Sequence, residues 1–151
     1  MTKFYSKTFN ELTTAELYAI LKLRVDVFVV EQNCPYEELD GLDCEPQTQH
    51  IIGYDDNDVV AYARCLAPKI NYENSAAIGR VLVKKEARGK GLAHAIVSLA
   101  KDICISHWPE QGIEISAQCY LTEFYTELGF QVDGQEYLED GIPHIHMKAV
   151  L

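Results

Sequence analysis

VKKEARGKGLAHAI, residues 83–96, places four cations and two glycines between an apolar run and an amphipathic one. The run before it, AAIGRVLV (76–83), has the content of a strand. After it, Leu92, Ile96, Leu99 and Ile103, spaced 4, 3 and 4, mark one face of a helix that Trp108-Pro109 ends. Gly89, Lys90 and Gly91 therefore fall at or just before a helix N-terminus, where unpaired N–H groups and the helix dipole favour an anion. Glycine lets the backbone approach such a ligand with no side chain in the way. The charge distribution agrees: Arg80, Lys84, Lys85, Arg88 and Lys90 are five of thirteen cations in a chain of formal net charge −10, and only Glu86 opposes them in that segment. In isolation the same string also fits a solvated basic turn.

Three phosphate-binding patterns compete for the segment. A P-loop is excluded, because no GxxxxGK[ST] string occurs in the chain. The dinucleotide fingerprint G-x-G-x-x-G/A, counted from Gly89, meets His94 at its sixth position, and the segment follows several strands instead of opening a βαβ unit. The third, Q/R-x-x-G-x-G/A, is satisfied by Arg88-Gly89-Lys90-Gly91-Leu92-Ala93.

Outward from this hexad the elements follow in order. KFYSKTF (3–9) has strand character, and Thr13-x-x-Glu16 forms a capping box before a helix with the stripe Leu17, Ile20, Leu21, Arg24 as an aliphatic stem, Val27 and Phe28, ending before Pro35. HIIGY (50–54) and VVAYARCLA (59–67) flank the turn Asp55-Asp56-Asn57-Asp58. IEISAQ (113–118) is a strand, LTEFYTEL (121–128) a short helix closed by Gly129, and two strands surround Asp140-Gly141. The order β-α-β-β-β-α-β-α-β-β predicts an α/β (α+β) fold with a mixed central sheet flanked by helices.

Length and composition bound the rest. At 151 residues and 48% hydrophobic content, one domain over residues 1–151 is expected, with a core that needs no metal or disulfide staple. MTKFYSKTFNEL lacks the apolar stretch of a signal peptide and no run reaches membrane-spanning length, so neither is expected, and the five scattered cysteines encode neither a disulfide framework nor a zinc site. A soluble, cytoplasmic protein is expected. The net negative charge argues against nucleic acid or an anionic membrane as partner. His144 and His146 share a strand face without a third ligand, so no metal is expected. The oligomeric state, a homodimer among the possibilities, is left open.

The hexad, placed between IGRVLV and an amphipathic helix, resembles the pyrophosphate loop of the GNAT superfamily of N-acyltransferases, and FYTELGF (124–130) resembles that family's tyrosine-bearing helix. LRVDVFVVEQNCPYEELDGLD (23–43), VVAYAR (59–64) and EYLEDGIPHIHM (136–147) are similar to its ElaA-like branch, and the likeness extends over nearly the whole chain. It implies a GNAT-type fold and acetyl-CoA lying between two splayed strands, 78–83 and 113–118. Leu82 and Val83 would contact the pantetheine arm. Backbone N–H groups from Gly89 through Gly91 and Leu92 to Ala93 would cradle the pyrophosphate, with charge added by Arg88 and Lys90. Tyr125 would protonate the leaving thiolate; simple packing is its competing reading.

The chain also departs from that family. It has Gln118 and Leu121 where Asn and Ala are usual, and Gly79 and Arg80 where some members carry a catalytic carboxylate. Five acids lie between residues 31 and 43 on the segment that shapes the acceptor side in GNAT folds. Glu31 is the first candidate for a base, while Glu38 and Asp40 would attract a cationic amine, a solvated loop being the alternative. His50, Arg64 and His144 are candidates to reach the acceptor cleft. The resulting expectation is an acetyl-CoA-dependent N-acetyltransferase acting on a small, peptide or protein amine by direct attack in a ternary complex. A non-catalytic acyl-CoA sensor and an acyl-homoserine-lactone-type acyltransferase are the alternatives.

Overall fold

The computed structural model describes residues 1–151. Strands β1 (Lys3–Lys7), β2 (Gln49–Asp55), β3 (Asp58–Leu66), β4 (Ser75–Val83), β5 (Gly112–Gln118), β6 (Phe130–Val132), β7 (Tyr137–Glu139) and β8 (Ile142–Ala149) form one sheet. Its spatial order is β1-β2-β3-β4-β5-β8-β6, with β7 paired to β8. All pairings are antiparallel except β4–β5. The expected mixed sheet is therefore present, with one more strand than the expected order contains. β6 is three residues long, of which only Phe130 is buried, so it carries no alternation to read. β1 stops at Lys7 because Thr8 caps a single turn at Phe9–Glu11.

Hydrophobic alternation decides which face each helix covers. Helix α1 (Thr14–Arg24) opens on the expected capping box, with Glu16 N–H donating to the Thr13 hydroxyl and Thr13 N–H to the Glu16 carboxylate, both at 3.0 Å. Its Ile20 and Leu23, with Val27 just beyond, pack on Ile52, Val59, Tyr62 and Leu82 on one side of the sheet. On the other side, Ile96, Val97, Ala100 and Cys104 of α2 (Leu92–His107) and Tyr125 of α3 (Thr122–Glu127) pack with Ile51, Ile78, Ile113, Ile115 and Met147. β5 thus buries Ile113, Ile115 and Ala117 in the core shared with α2 and α3, while Glu114, Ser116 and Gln118 alternate to the opposite face.

α1 does not end cleanly. Val25–Glu31 continues it as a wider coil in which Gln32 N–H reaches Val27 C=O at 3.2 Å and Cys34 N–H reaches Val29 C=O at 3.0 Å, five residues back instead of four.

One irregularity opens the sheet. β4 and β5 pair only over Ser75–Ala77 and Gly112–Glu114. Beyond that, β4 holds an extra residue: Tyr62 opposes Leu82 but Arg64 opposes Gly79, and Arg80 takes a left-handed φ of 52°. The bulge bends β4 away from β5, and a wedge forms between two parallel strands.

Candidate functional site

The wedge widens into a cleft of about 1140 Å³ lined by Val83, Arg88, Gly89, Gly91 and Ala93 on the β4 side and by Ala117, Gln118, Tyr125 and His144 on the other. Phe28, Glu31 and Gln32 of the wide coil border it. Gly89 and Gly91 have φ of 85° and 77°, and a Cβ built on either meets nothing within 4 Å, so the loop curls around open space. Gly91 caps α2, whose first intrahelical bond runs from Ala95 N–H to Gly91 C=O at 3.1 Å. The N–H groups of Leu92, Ala93 and His94 are left without helical partners at the positive end of a 16-residue helix. Unpaired N–H groups beside open space are a geometry that suits an anion. Lys90 is exposed on the loop but does not line the cleft.

β4 supplies an unpaired edge. Lys84 N–H donates to Val60 C=O at 2.8 Å, so by strand alternation the Leu82 backbone also faces β3, opposite Tyr62. Val83 turns its N–H and C=O the other way, toward the wedge. Of the two residues expected to bond a pantetheine arm, Leu82 therefore offers only its side chain, and Val83 offers the backbone. In this structure the Val83 carbonyl accepts from Arg88 Nε at 2.9 Å, while the Arg88 Nη atoms grip Glu31 at 2.7 and 2.9 Å.

Tyr125 sits on the far wall, its ring held edge-on by Phe124 and Phe130 at 5.0 and 5.8 Å between centroids. The hydroxyls of Tyr54 and Tyr62 are tied to Glu16 and His50, whereas that of Tyr125 bonds to no protein group. Burial pushes its pKa up to about 12, so it carries its proton throughout the neutral range.

The acceptor-side acids behave differently from expectation. Arg24 is fully buried and donates to Glu38 and Asp43, each at 2.6 Å. Arg64, also buried, grips Asp40 at 2.8 and 2.9 Å and Asp43 at 3.1 Å. Arg80 adds bonds to Glu38 at 2.9 Å and Asp40 at 3.3 Å. Three carboxylates and three guanidiniums thus cancel, and segment 33–48 is fastened to the sheet. Glu38 and Asp40 are corrected from amine attractors to partners of buried arginines, because a buried charge is tolerable only when paired. Arg64 reaches the cleft lining but with both Nη atoms engaged.

His50 does not reach the cleft: it is buried, accepts from the Tyr62 hydroxyl at 2.6 Å and donates to Asp43 C=O at 3.0 Å. Glu31 does reach it, but the Arg88 hydrogen bond holds its carboxyl below the ordinary range and makes it a weak base. Arg24 and Arg80 are the structural residues the sequence reading missed. A cation on an apolar helix stripe and another opening the strand run RVLV were their signals.

The network has a pH signature. Burial alone would raise the Asp40 carboxyl, yet Arg64, the Leu42 N–H and Arg80 bring it down to about 2. Burial likewise works against Glu16, which Thr13, Lys7 and Tyr54 hold at about 2. Both titrate lower folded than unfolded, so the stability they contribute is complete above their ordinary values of 3.8 and 4.5 and is lost as pH falls toward about 2. Urea midpoints measured across pH should therefore hold level in the weakly acidic range and drop below about pH 4.5. A drop that began well above that value would implicate other groups.

Comparison with known proteins accords with this geometry. A family model described as an acetyltransferase (GNAT) domain matches residues 17–151. Protein ElaA of Escherichia coli K12 is 43% identical over 138 residues, covering 91% of this chain and 90% of ElaA. The crystal structure of an acyl-CoA N-acyltransferase from Pseudomonas aeruginosa superposes with a TM-score of 0.94 at 41% identity, covering 99% of this chain and 100% of that one. That of Escherichia coli ElaA gives 0.93 at 39% identity with the same coverage. The mixed sheet and its flanking helices are the fold of that acyl-CoA N-acyltransferase, and the chain belongs to the GNAT acetyltransferase family, in its ElaA-like branch.

Proposed function

We propose that the protein transfers an acetyl group from acetyl-CoA to an amine, binding both together so that the amine attacks the thioester directly. The observation that carries this reading is the continuity of one cleft from the free N–H groups of α2, along the Val83 edge, to the Tyr125 hydroxyl. Leu92, Ala93 and His94 N–H groups bind the pyrophosphate, Val83 orients the pantetheine arm, and Tyr125 gives a proton to the departing sulfur. Five free cysteines suit a reducing cytoplasm, and residues 1–151 act as one domain on this reading.

Calorimetric titration of the reduced protein with acetyl-CoA, with NAD and ATP as controls, tests it without knowledge of the acceptor. Selective binding of acetyl-CoA is expected; none would reduce the loop to a basic turn. Tyr125→Phe should then lower turnover with the best member of an amine panel by about 10²-fold while leaving acetyl-CoA affinity unchanged. Full activity in that variant would remove Tyr125 as the acid.

A further inference from the structure

An ammonium acceptor must lose a proton before it can attack, and the three acids expected on the acceptor side are engaged, whereas Glu37, Glu139 and Asp140 border the cleft with no cationic side chain of Lys or Arg to fix them. Glu31 is gripped by Arg88, Asp40 by Arg64, and Glu38 by Arg24 and Arg80. On the opposite wall stands an imidazole whose Nε2 makes no hydrogen bond. His144 is buried, lines the cleft and stands directly across the β5–β8 ladder from Gln118. Its Nδ1 lies 2.8 Å from Ile142 C=O. A carbonyl only accepts, so Nδ1 carries the hydrogen and Nε2 of the neutral ring keeps its lone pair. The ring stacks on Tyr137, with centroids 6.1 Å apart and planes 29° from parallel, and the Tyr137 hydroxyl is itself bonded to Ser116. Glu139 lies 3.5 Å from Nε2 with its side chain half exposed. The imidazole is thus fixed in place and tautomer, with a carboxylate beside its Nε2.

We propose that His144 is the general base for the acceptor, an assignment that rests on the acetyl-transfer reading above. Nε2 takes one proton from the ammonium, and the freed nitrogen lone pair forms the N–C bond to the thioester carbonyl. The C–S bond breaks as Tyr125 protonates the sulfur, and the second ammonium proton restores Tyr125. The products are the amide, free CoA and a His144 imidazolium, whose charge Glu139 balances until its proton passes to water.

The test compares wild type and His144→Gln at neutral pH on acetyl-CoA with two nucleophiles: butylamine, which arrives as an ammonium, and hydroxylamine, which arrives uncharged. Acetylation of butylamine is expected to fall by about 10²-fold while acetylation of hydroxylamine stays near the wild-type rate. An unchanged acetyl-CoA titration would show that the variant is folded. Equal losses with both nucleophiles, or undiminished acetylation of butylamine, would overturn the proposal. A wild-type protein that acetylates neither would overturn the acetyl-transfer reading itself, and the base with it.

Discussion

Gly91→Glu is expected to abolish acetyl-CoA binding in a protein that still folds. The open space around Gly91 accommodates a side chain, so no packed neighbour is displaced, and the fold bears only the strain of a left-handed non-glycine residue at φ 77°, about 1–2 kcal/mol. The glutamate carboxylate then occupies the concavity into which the Leu92, Ala93 and His94 N–H groups point, satisfying them internally and repelling a diphosphate. Titration calorimetry and a thermal melt on the same preparation separate the two effects. Gly91→Ala is the companion variant, since it carries the strain without the charge and should retain most of the affinity. A glutamate variant that still bound acetyl-CoA normally would move the pyrophosphate to another part of the cleft.

Arg24→Met should destabilise the fold by about 3 kcal/mol, toward the lower end of what breaking a buried ion pair costs. Methionine fills much of the volume, so the loss is electrostatic: Glu38 and Asp43 keep their burial and lose their shortest arginine bonds, at 2.6 Å each, Glu38 keeping the Tyr36 hydroxyl. The estimate stays low because each retains a second arginine, Arg80 and Arg64 respectively. Arg24→Lys should recover little, because one ammonium does not reproduce the fork that spans two carboxylates. Denaturant midpoints at constant slope measure this. A loss below about 1 kcal/mol would mean that the two remaining arginines suffice.

Both variants bear on what a single sequence can disclose. The glycine loop and helix start were legible because everything they need is local: a strand, two glycines and a helix start within residues 83–96. The helix face of α2 and the Thr13 cap were legible for the same reason. The acceptor side was not. Glu38 is separated by 14 residues from Arg24 and by 42 from Arg80, and nothing in a carboxylate's immediate neighbours tells whether water or a guanidinium will face it. Arg24 was read as an aliphatic stem because the stripe around it is apolar, when full burial of its charge was the more consequential feature. His144 was placed at the cleft, but its tautomer depends on the Ile142 carbonyl and its orientation on Tyr137, both set by the β7–β8 hairpin.

The coil at Val25–Glu31 carries a different kind of information. Its bonds span five residues, which amounts to one surplus residue in a helix that would otherwise run on regularly. Deleting that residue would restore ordinary winding and swing Phe28, Glu31 and Gln32 by roughly 100° about the axis, away from the opening they now border. The width and lining of this entrance are therefore inherited as an insertion as much as a choice of side chains, and a gap of one in this segment of a relative would signal a reshaped mouth even where every neighbouring letter agreed.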